Sequence, residues 1–317
     1  MDSLKKPNMM RGKKSRQLLR SIYRHRTLYL FLLPCLVSYA IFSYIPMAGN
    51  ILAFKEFRFD MTIWQSPWVG LLYFKRFFAF YNSWNLIRNT LIFGFVKVII
   101  EFPFPIIFAI MINEIRNQRF KKLGQTVSYL PYFISMVVVA GIVKTILAPE
   151  DGVLNYLLGQ LAGEPVTTFY LMEKNWYLPI IFMIDMWKGL GWGSIIYLAA
   201  ITGIDPELYE VAKIDGARKF QQIWYITIQS IRPTMGILFI LGLGGLISQG
   251  YEQPYLFGTP GNAPISEVLD LYVIKVGLRD GQYGYATAVG LMQGVVGLTL
   301  VTLANKISKK MSDISVW

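Results

Sequence analysis

Cysteine and histidine are almost missing: Cys35 and His25 are the only ones in 317 residues. A single thiol excludes an internal disulfide and any cysteine-held metal cluster. A single imidazole, set in a basic stretch, excludes a multi-histidine metal site and argues against a Ser-His triad. No G-x-x-x-x-G-K-S/T run occurs, so the chain does not hold ATP as a P-loop protein does, and any ATP used in its work is hydrolysed by a partner. Charge is also scarce. Only 16% of residues are charged, against 54% hydrophobic and 15% aromatic, with a mean hydropathy of +0.42. That balance is too apolar for a soluble domain of this length and predicts an all-α, polytopic membrane protein.

The net charge of +12 is read by where it lies, since in a membrane protein basic residues mark the cytoplasmic side before they suggest nucleic acid, and no nucleic-acid partner is expected. Residues 1–26 form a basic tail. Apolar runs then predict six transmembrane helices at about 28–47, 86–112, 126–147, 177–201, 234–257 and 285–305, each close to the ~20 residues a bilayer needs. The first is a membrane helix and not a cleaved signal, being too long and lacking a small-residue cleavage site. The membrane body is thus 27–307, with a loop at 203–232 and a C-terminus at 308–317. Twenty of the 31 basic residues fall in the tail, in the turn at 116–122, in that loop and at the C-terminus, and eight on the opposite side. The asymmetry predicts both termini in the cytoplasm. Trp64, Trp68 and Trp84, between the first two spans, read as interfacial belt residues or as sugar-stacking rings.

The charged stretch Asp205–Pro233 stands between two apolar ones. Asp205 before Pro206 is a helix start, because a short carboxylate accepts from freed amides and proline at the first position loses no bond. Gly216 permits a turn, and Phe220, Ile223, Trp224 and Ile228 follow at helical spacing, so the stretch reads as two short helices joined at a glycine. The run Glu210, Val211, Ala212, then Lys213, Ile214 and Asp215, Gly216, nine residues, and Ile226-Thr227-Ile228 resembles the EAA loop of binding-protein-dependent ABC importer permeases, whose pattern is E-A-A, three residues, G, nine residues, I-x-L-P. Val211, Ile228 and Gln229 depart from it, and Pro233 is expected to supply the break that the missing proline would make. YLFLLPCLVSYAIFSYIPMAGN, NTLIFGFVK, INE and YLPYFISMVVVAGI extend the likeness to the sugar branch of these permeases.

The resemblance implies the type I ABC importer permease fold, with a cytoplasmic loop seated in a cleft of an ATPase. Glu210, Val211, Ala212, Asp215 and Gly216 are then the coupling residues. Ala212 allows close seating, and Glu210 can pair with a basic group on the partner. The implied partners are a second, similar permease, two ATPase subunits that carry the ATP and magnesium, and an extracellular or periplasmic sugar-binding protein. This chain itself is expected to hold no cofactor and to be no enzyme. It would sit in the bacterial cell membrane and pass an oligosaccharide or polysaccharide fragment by alternating access.

Polar groups at membrane depth are costly and are therefore candidates for function. Lys97 and Glu101 lie four apart, share a face with Thr90 and can pair. Asp185, Lys188 and Trp192 fall on one face of the fourth span, beside Gly189, Gly191 and Gly193. Gly245, Ser248, Gln249 and Glu252 repeat that spacing on the fifth, with Tyr251 and Gln253 adjacent. Carboxylates, amides and aromatic faces are what a sugar requires, so Asp185, Lys188, Trp192, Ser248, Gln249, Tyr251 and Glu252 are the candidate substrate pathway. Two other readings stand beside this one. The groups can pair among themselves and hold the bundle together, or Lys97, Glu101, Asp185 and Lys188 can relay ions in a secondary transporter. A secondary transporter has no need of a coupling loop, and no inverted repeat is evident.

Overall fold

The structure, a computed structural model, describes residues 24–312. Most of the basic tail (1–23) and the end of the chain (313–317), both expected in the cytoplasm, lie outside the described residues. Among the described residues all regular structure is helical, apart from one isolated bridge between Lys55 and Trp68. The chain divides after Leu52 into two units.

The first unit is built on α1, the 29-residue run Arg26–Phe54, whose last two residues already belong to the second unit and whose apolar window has a mean hydropathy of 1.9. Its start is fixed by the His25 carbonyl, which accepts from the amides of Leu28 and Tyr29. Pro34 lies inside it, and a wide π turn follows at Ala40–Tyr44.

The second unit begins with a loop closed by Lys55, whose ammonium donates to the carbonyls of Ile63 (3.1 Å) and Trp64 (2.8 Å). Then come α2 (Leu72–Ala79) and α3 (Ser83–Glu114). α3 contains a π turn at Val96–Ile100 and restarts as regular helix at Pro103. The expected third span is not one rod. It is a pair, α4 (Gln118–Phe133) and α5 (Met136–Ile146), bent by 96°. Pro131 removes a donor where α4 ends, and Ser135 starts α5 by accepting from the Val138 amide at 3.3 Å.

α6 (Val153–Ala162) leads to α7 (Lys174–Thr202), unbroken over 29 residues and close to the expected fourth span. α8 (Pro206–Ile214) is the predicted short helix, with Asp205 Oδ1 accepting from the Glu207 amide at 3.0 Å. The second half of that stretch corrects the expectation. Lys219 opens α9 (Lys219–Gly244), which runs through Gln229 and Pro233 without a break. A π turn at Ile223–Thr227 precedes the proline, and the helix ends instead in the glycine-rich run 242–250. The expected fifth span at 234–257 therefore stops at Gly244, and residues 252–257 form a separate helix, α10 (Glu252–Phe257). α11 (Ala263–Ser266), α12 (Leu269–Ile274) and the long α13 (Tyr283–Ser312) complete the unit.

Among the described residues four runs, α1, α3, α9 and Tyr283–Lys310 of α13, are long and apolar enough to cross a membrane, and the α4–α5 pair makes a fifth if its halves form one span. α7 is about 43 Å long at ~1.5 Å per residue, but Asp185 and Lys188 lie near its middle.

α3 and α7 position the site. They run side by side in the same direction, with Phe93 against Tyr177, Ile181 and Ile184 in one apolar cluster. Further along, Ile106, Ala109 and Ile112 meet Tyr197, Leu198 and Ile201 in a second. Residues 97–101 and 185–188 fall between these clusters. α7 also presses on α4, where a Cβ on Gly191 would stand 2.2 Å from the Ser128 carbonyl oxygen, so only glycine permits the approach.

Candidate functional site

The first functional feature is the α8 turn and the start of α9. Gly216 has φ of +77°, the left-handed conformation that glycine adopts without strain, and its turn is closed by the Ala217 amide on the Ala212 carbonyl at 2.8 Å. Across the turn, Tyr209 and Thr227 share a hydroxyl hydrogen bond of 2.9 Å, and Gln222 Nε2 donates to the Ala217 carbonyl at 2.9 Å. Lys219 reaches Glu114 at the end of α3, 2.7 Å away. The hairpin is thus tied both to itself and to α3. Outward, it leaves Leu208, Val211 and Ile214 exposed, Ile214 to 85%, with Phe220, Trp224 and Tyr225 beyond the turn. Glu210, Asp215 and Gly216 are exposed and Ala212 half-buried.

The second feature is the polar layer between the two apolar clusters. Lys97 Nζ lies 3.2 Å from Asp185 Oδ2, donates to Gln253 Oε1 at 2.6 Å, and stands 4.9 Å from the centre of the Phe93 ring. Gln253 Nε2 in turn donates to Asp185 Oδ1 at 2.5 Å. One ring of contacts therefore joins α3, α7 and α10. Lys97 and Asp185 are nearly buried, with side chains 18% and 15% exposed, and a pair so placed is costly to break from one side.

Lys188, one turn on, donates to the carbonyls of Tyr132 (2.7 Å) and Ile134. These are carbonyls that the α4–α5 bend leaves without helical partners, at the negative end of α4, so an ammonium satisfies both the hydrogen bonds and the dipole. Trp192 stacks on Tyr132 with ring centres 4.5 Å apart and planes 6° apart, and so holds the same bend.

Of the predicted pathway residues, Asp185 and Lys188 line one pocket of about 290 Å³, together with Lys97, Glu101, Tyr132, Met136 and Gly189. Trp192 adjoins it through Tyr132. Ser248, Gln249, Tyr251 and Glu252 do not line it. They lie on the link after α9 and at the start of α10, where Ser248, Tyr251 and Glu252 are exposed and Gln249 folds back on the Gly245 carbonyl. The expected Lys97–Glu101 pair is not formed, because Asp185 and Gln253 take the Lys97 ammonium. Glu101 Oε1 is buried with no hydrogen-bond partner. Thr90 leaves the expected polar stripe altogether: it is buried, donates to the Leu86 carbonyl and accepts from the Leu269 amide. A larger groove of about 720 Å³, lined by Val139, Ile142, Leu158, Met183 and Trp187 among others, holds no ionisable group but Tyr170.

Residues 101–313 match the model of the family described as "Binding-protein-dependent transport system inner membrane component". The chain belongs to this family. It is an ABC-importer permease, a transport component and not an enzyme, and it is an inner-membrane protein. Protein LplB of Bacillus subtilis (strain 168) is 40% identical over 92% of this chain and 91% of its own. The polygalacturonan/rhamnogalacturonan transport system permease protein YteP of the same organism is 37% identical over 98% and 96%. Among solved structures, a chain of a bacterial ABC transporter involved in the import of the acidic polysaccharide alginate superposes with a TM-score of 0.84. It is 37% identical over 93% of this chain and 99% of that one. A bacterial alginate ABC transporter in complex with an alginate pentasaccharide-bound periplasmic protein gives a TM-score of 0.85 at 36% identity, over 95% and 100%. The type I permease fold implied by the sequence is therefore the fold of this permease.

Sequence reasoning placed Gln253 only as a neighbour in the Ser248–Gln253 polar cluster of the pathway, whereas in the structure it closes the ring on Lys97 and Asp185. The signal available was an amide beside Glu252 in a stretch already marked as polar, but its reach to α3 and α7 is a tertiary fact.

Proposed function

We propose that this permease takes up an oligosaccharide or polysaccharide fragment by alternating access, driven by two partner ATPase subunits that hold the ATP and magnesium. The observation that carries the proposal is the α8 turn. A helix that exposes Leu208, Val211 and Ile214 at a spacing of three is a surface awaiting a partner, and Glu210, Val211, Ala212, Asp215 and Gly216 stand at the coupling positions of the family pattern. The names of the relatives support the cargo class, and the structure with a loaded periplasmic protein supports delivery by a sugar-binding protein. A second, similar permease completes the membrane part. In this proposal α7 is the sixth crossing, its Asp185 and Lys188 neutralised or bonded within the bundle. The basic asymmetry sets both termini in the cytoplasm.

The cargo route runs past the pocket of Asp185 and Lys188, with Trp192 shaping it. The exposed stretch of Ser248, Gln249, Tyr251 and Glu252 adds a second set of hydrogen-bonding groups.

Co-expression with candidate ATPase, permease and binding-protein subunits tests the proposal. The expected result is one complex that imports oligosaccharide into proteoliposomes only with ATP on the ATPase side. Uptake by this chain alone, driven by an ion gradient, would instead establish a secondary transporter.

A further inference from the structure

We propose that Lys97 exchanges partners during transport, held by Asp185 and Gln253 in the conformation described above and by Glu101 in a second one. This inference rests on the ATPase-driven reading of the permease. Four observations carry it. Glu101 lies four residues after Lys97 on α3, within side-chain reach on a helix, yet its Oε1 is buried and unpartnered. A native buried carboxylate oxygen with no partner calls for an explanation, and a partner acquired in another state supplies one.

Lys97 itself lies in the π turn Val96–Ile100, and Glu101 closes that turn, its amide bonding to the Val96 carbonyl at 3.0 Å. A π turn holds one residue more than an α turn, so the segment has a second register without unfolding the helix. The pocket of about 290 Å³ borders Lys97, Glu101 and Asp185 together, so the ammonium has room to move. Finally, Gln253 Nε2 already donates to Asp185 Oδ1, so that carboxylate keeps one partner when the ammonium leaves it.

The exchange has a mechanical consequence. In the first state Lys97 ties α3 to α7 and α10. In the second those ties are released while Lys97 stays on α3. α7 runs through Gly203–Asp205 directly into α8, so movement of the ATPases at α8 acts on the helix that carries Asp185. The pair is a clasp on the route from the coupling helix to the bundle.

The test is ATP hydrolysis, without cargo, by the complete purified complex of both permeases and both ATPases. Asp185→Asn weakens the first state and Glu101→Gln the second, so the two variants move hydrolysis in opposite directions, ending at least about fivefold apart. A shift in the same direction, or no effect of Glu101→Gln, overturns the exchange. Should either variant fail to assemble, charge reversal decides. Lys97→Glu with Asp185→Lys rebuilds the described pair but sets a second carboxylate beside Glu101, and is expected to assemble with suppressed hydrolysis. Adding Glu101→Lys is expected to restore it. Wild-type hydrolysis in the double variant would show a static pair. A wild-type complex that binds no ATPase would overturn the functional reading itself, an outcome distinct from either result.

Discussion

The α8 turn and the polar layer of α3 and α7 are both polar regions of an apolar chain, but they are built on opposite principles. In the turn, neighbours in sequence satisfy one another: Asp205 caps Glu207, Ala212 receives Ala217, and Gln222 returns to Ala217. Its apolar side chains face out. In the layer the bonds come from far along the chain, Lys97 to Asp185 and Gln253, and Lys188 to Tyr132 and Ile134. One region is preorganised largely by local bonds and leaves an apolar surface open, and the other joins distant helices through long-range polar bonds.

Four substitutions sharpen that contrast, beginning with the largest effect. Lys188→Met removes the donors from the Tyr132 and Ile134 carbonyls at the α4–α5 bend. With each carbonyl left unsatisfied at membrane depth costing about 1–3 kcal/mol, the folded yield of detergent-purified permease is expected to collapse, and Lys188→Arg to recover part of it. Asp185→Leu strands the Lys97 ammonium, for which about 3–5 kcal/mol is expected as a fall in thermal stability. The double change Lys97→Met with Asp185→Leu regains most of the loss, whereas Lys97→Met with Glu101→Leu does not, a difference that a double-mutant cycle measures directly.

Tyr209→Phe removes one hydrogen bond across the α8 turn, about 0.5–1.5 kcal/mol. It is expected to leave melting of the permease nearly unchanged and to lower ATPase retention on purification. Glu252→Gln, on the exposed stretch, is the mildest. Assembly stays intact and uptake falls by up to about tenfold, the equivalent of one lost hydrogen bond to cargo. A collapse of stability in that variant would mean that the stretch is packing and not route.

The same contrast explains what could be read before the fold was known. Asp205-Pro206 and Gly216 act within a few residues of themselves, so their roles are visible as a cap and a left-handed turn. The long α7 was legible from its apolar run alone. The bend after Tyr132 was not, because Pro131 and Ser135 sit in a continuous apolar stretch, and what makes the bend tolerable is a lysine on another helix. The helix through Pro233 was missed for a related reason. A proline predicts a break from local sterics, but α9 continues across it, with the wide turn Ile223–Thr227 just upstream. Pairing Lys97 with Glu101 followed correct helical spacing and failed because spacing cannot see competitors from α7 and α10.

The central claim is that the α8 turn transmits ATP-driven movement to this permease. The most direct measurement is ATP hydrolysis by the reconstituted complex, with and without loaded binding protein, for wild type, Gly216→Trp and Glu210→Lys. A bulky side chain at φ of +77°, or a reversed charge on the exposed face of α8, is expected to leave the permease folded in the membrane and to abolish the stimulation. Full stimulation in both variants would contradict the account.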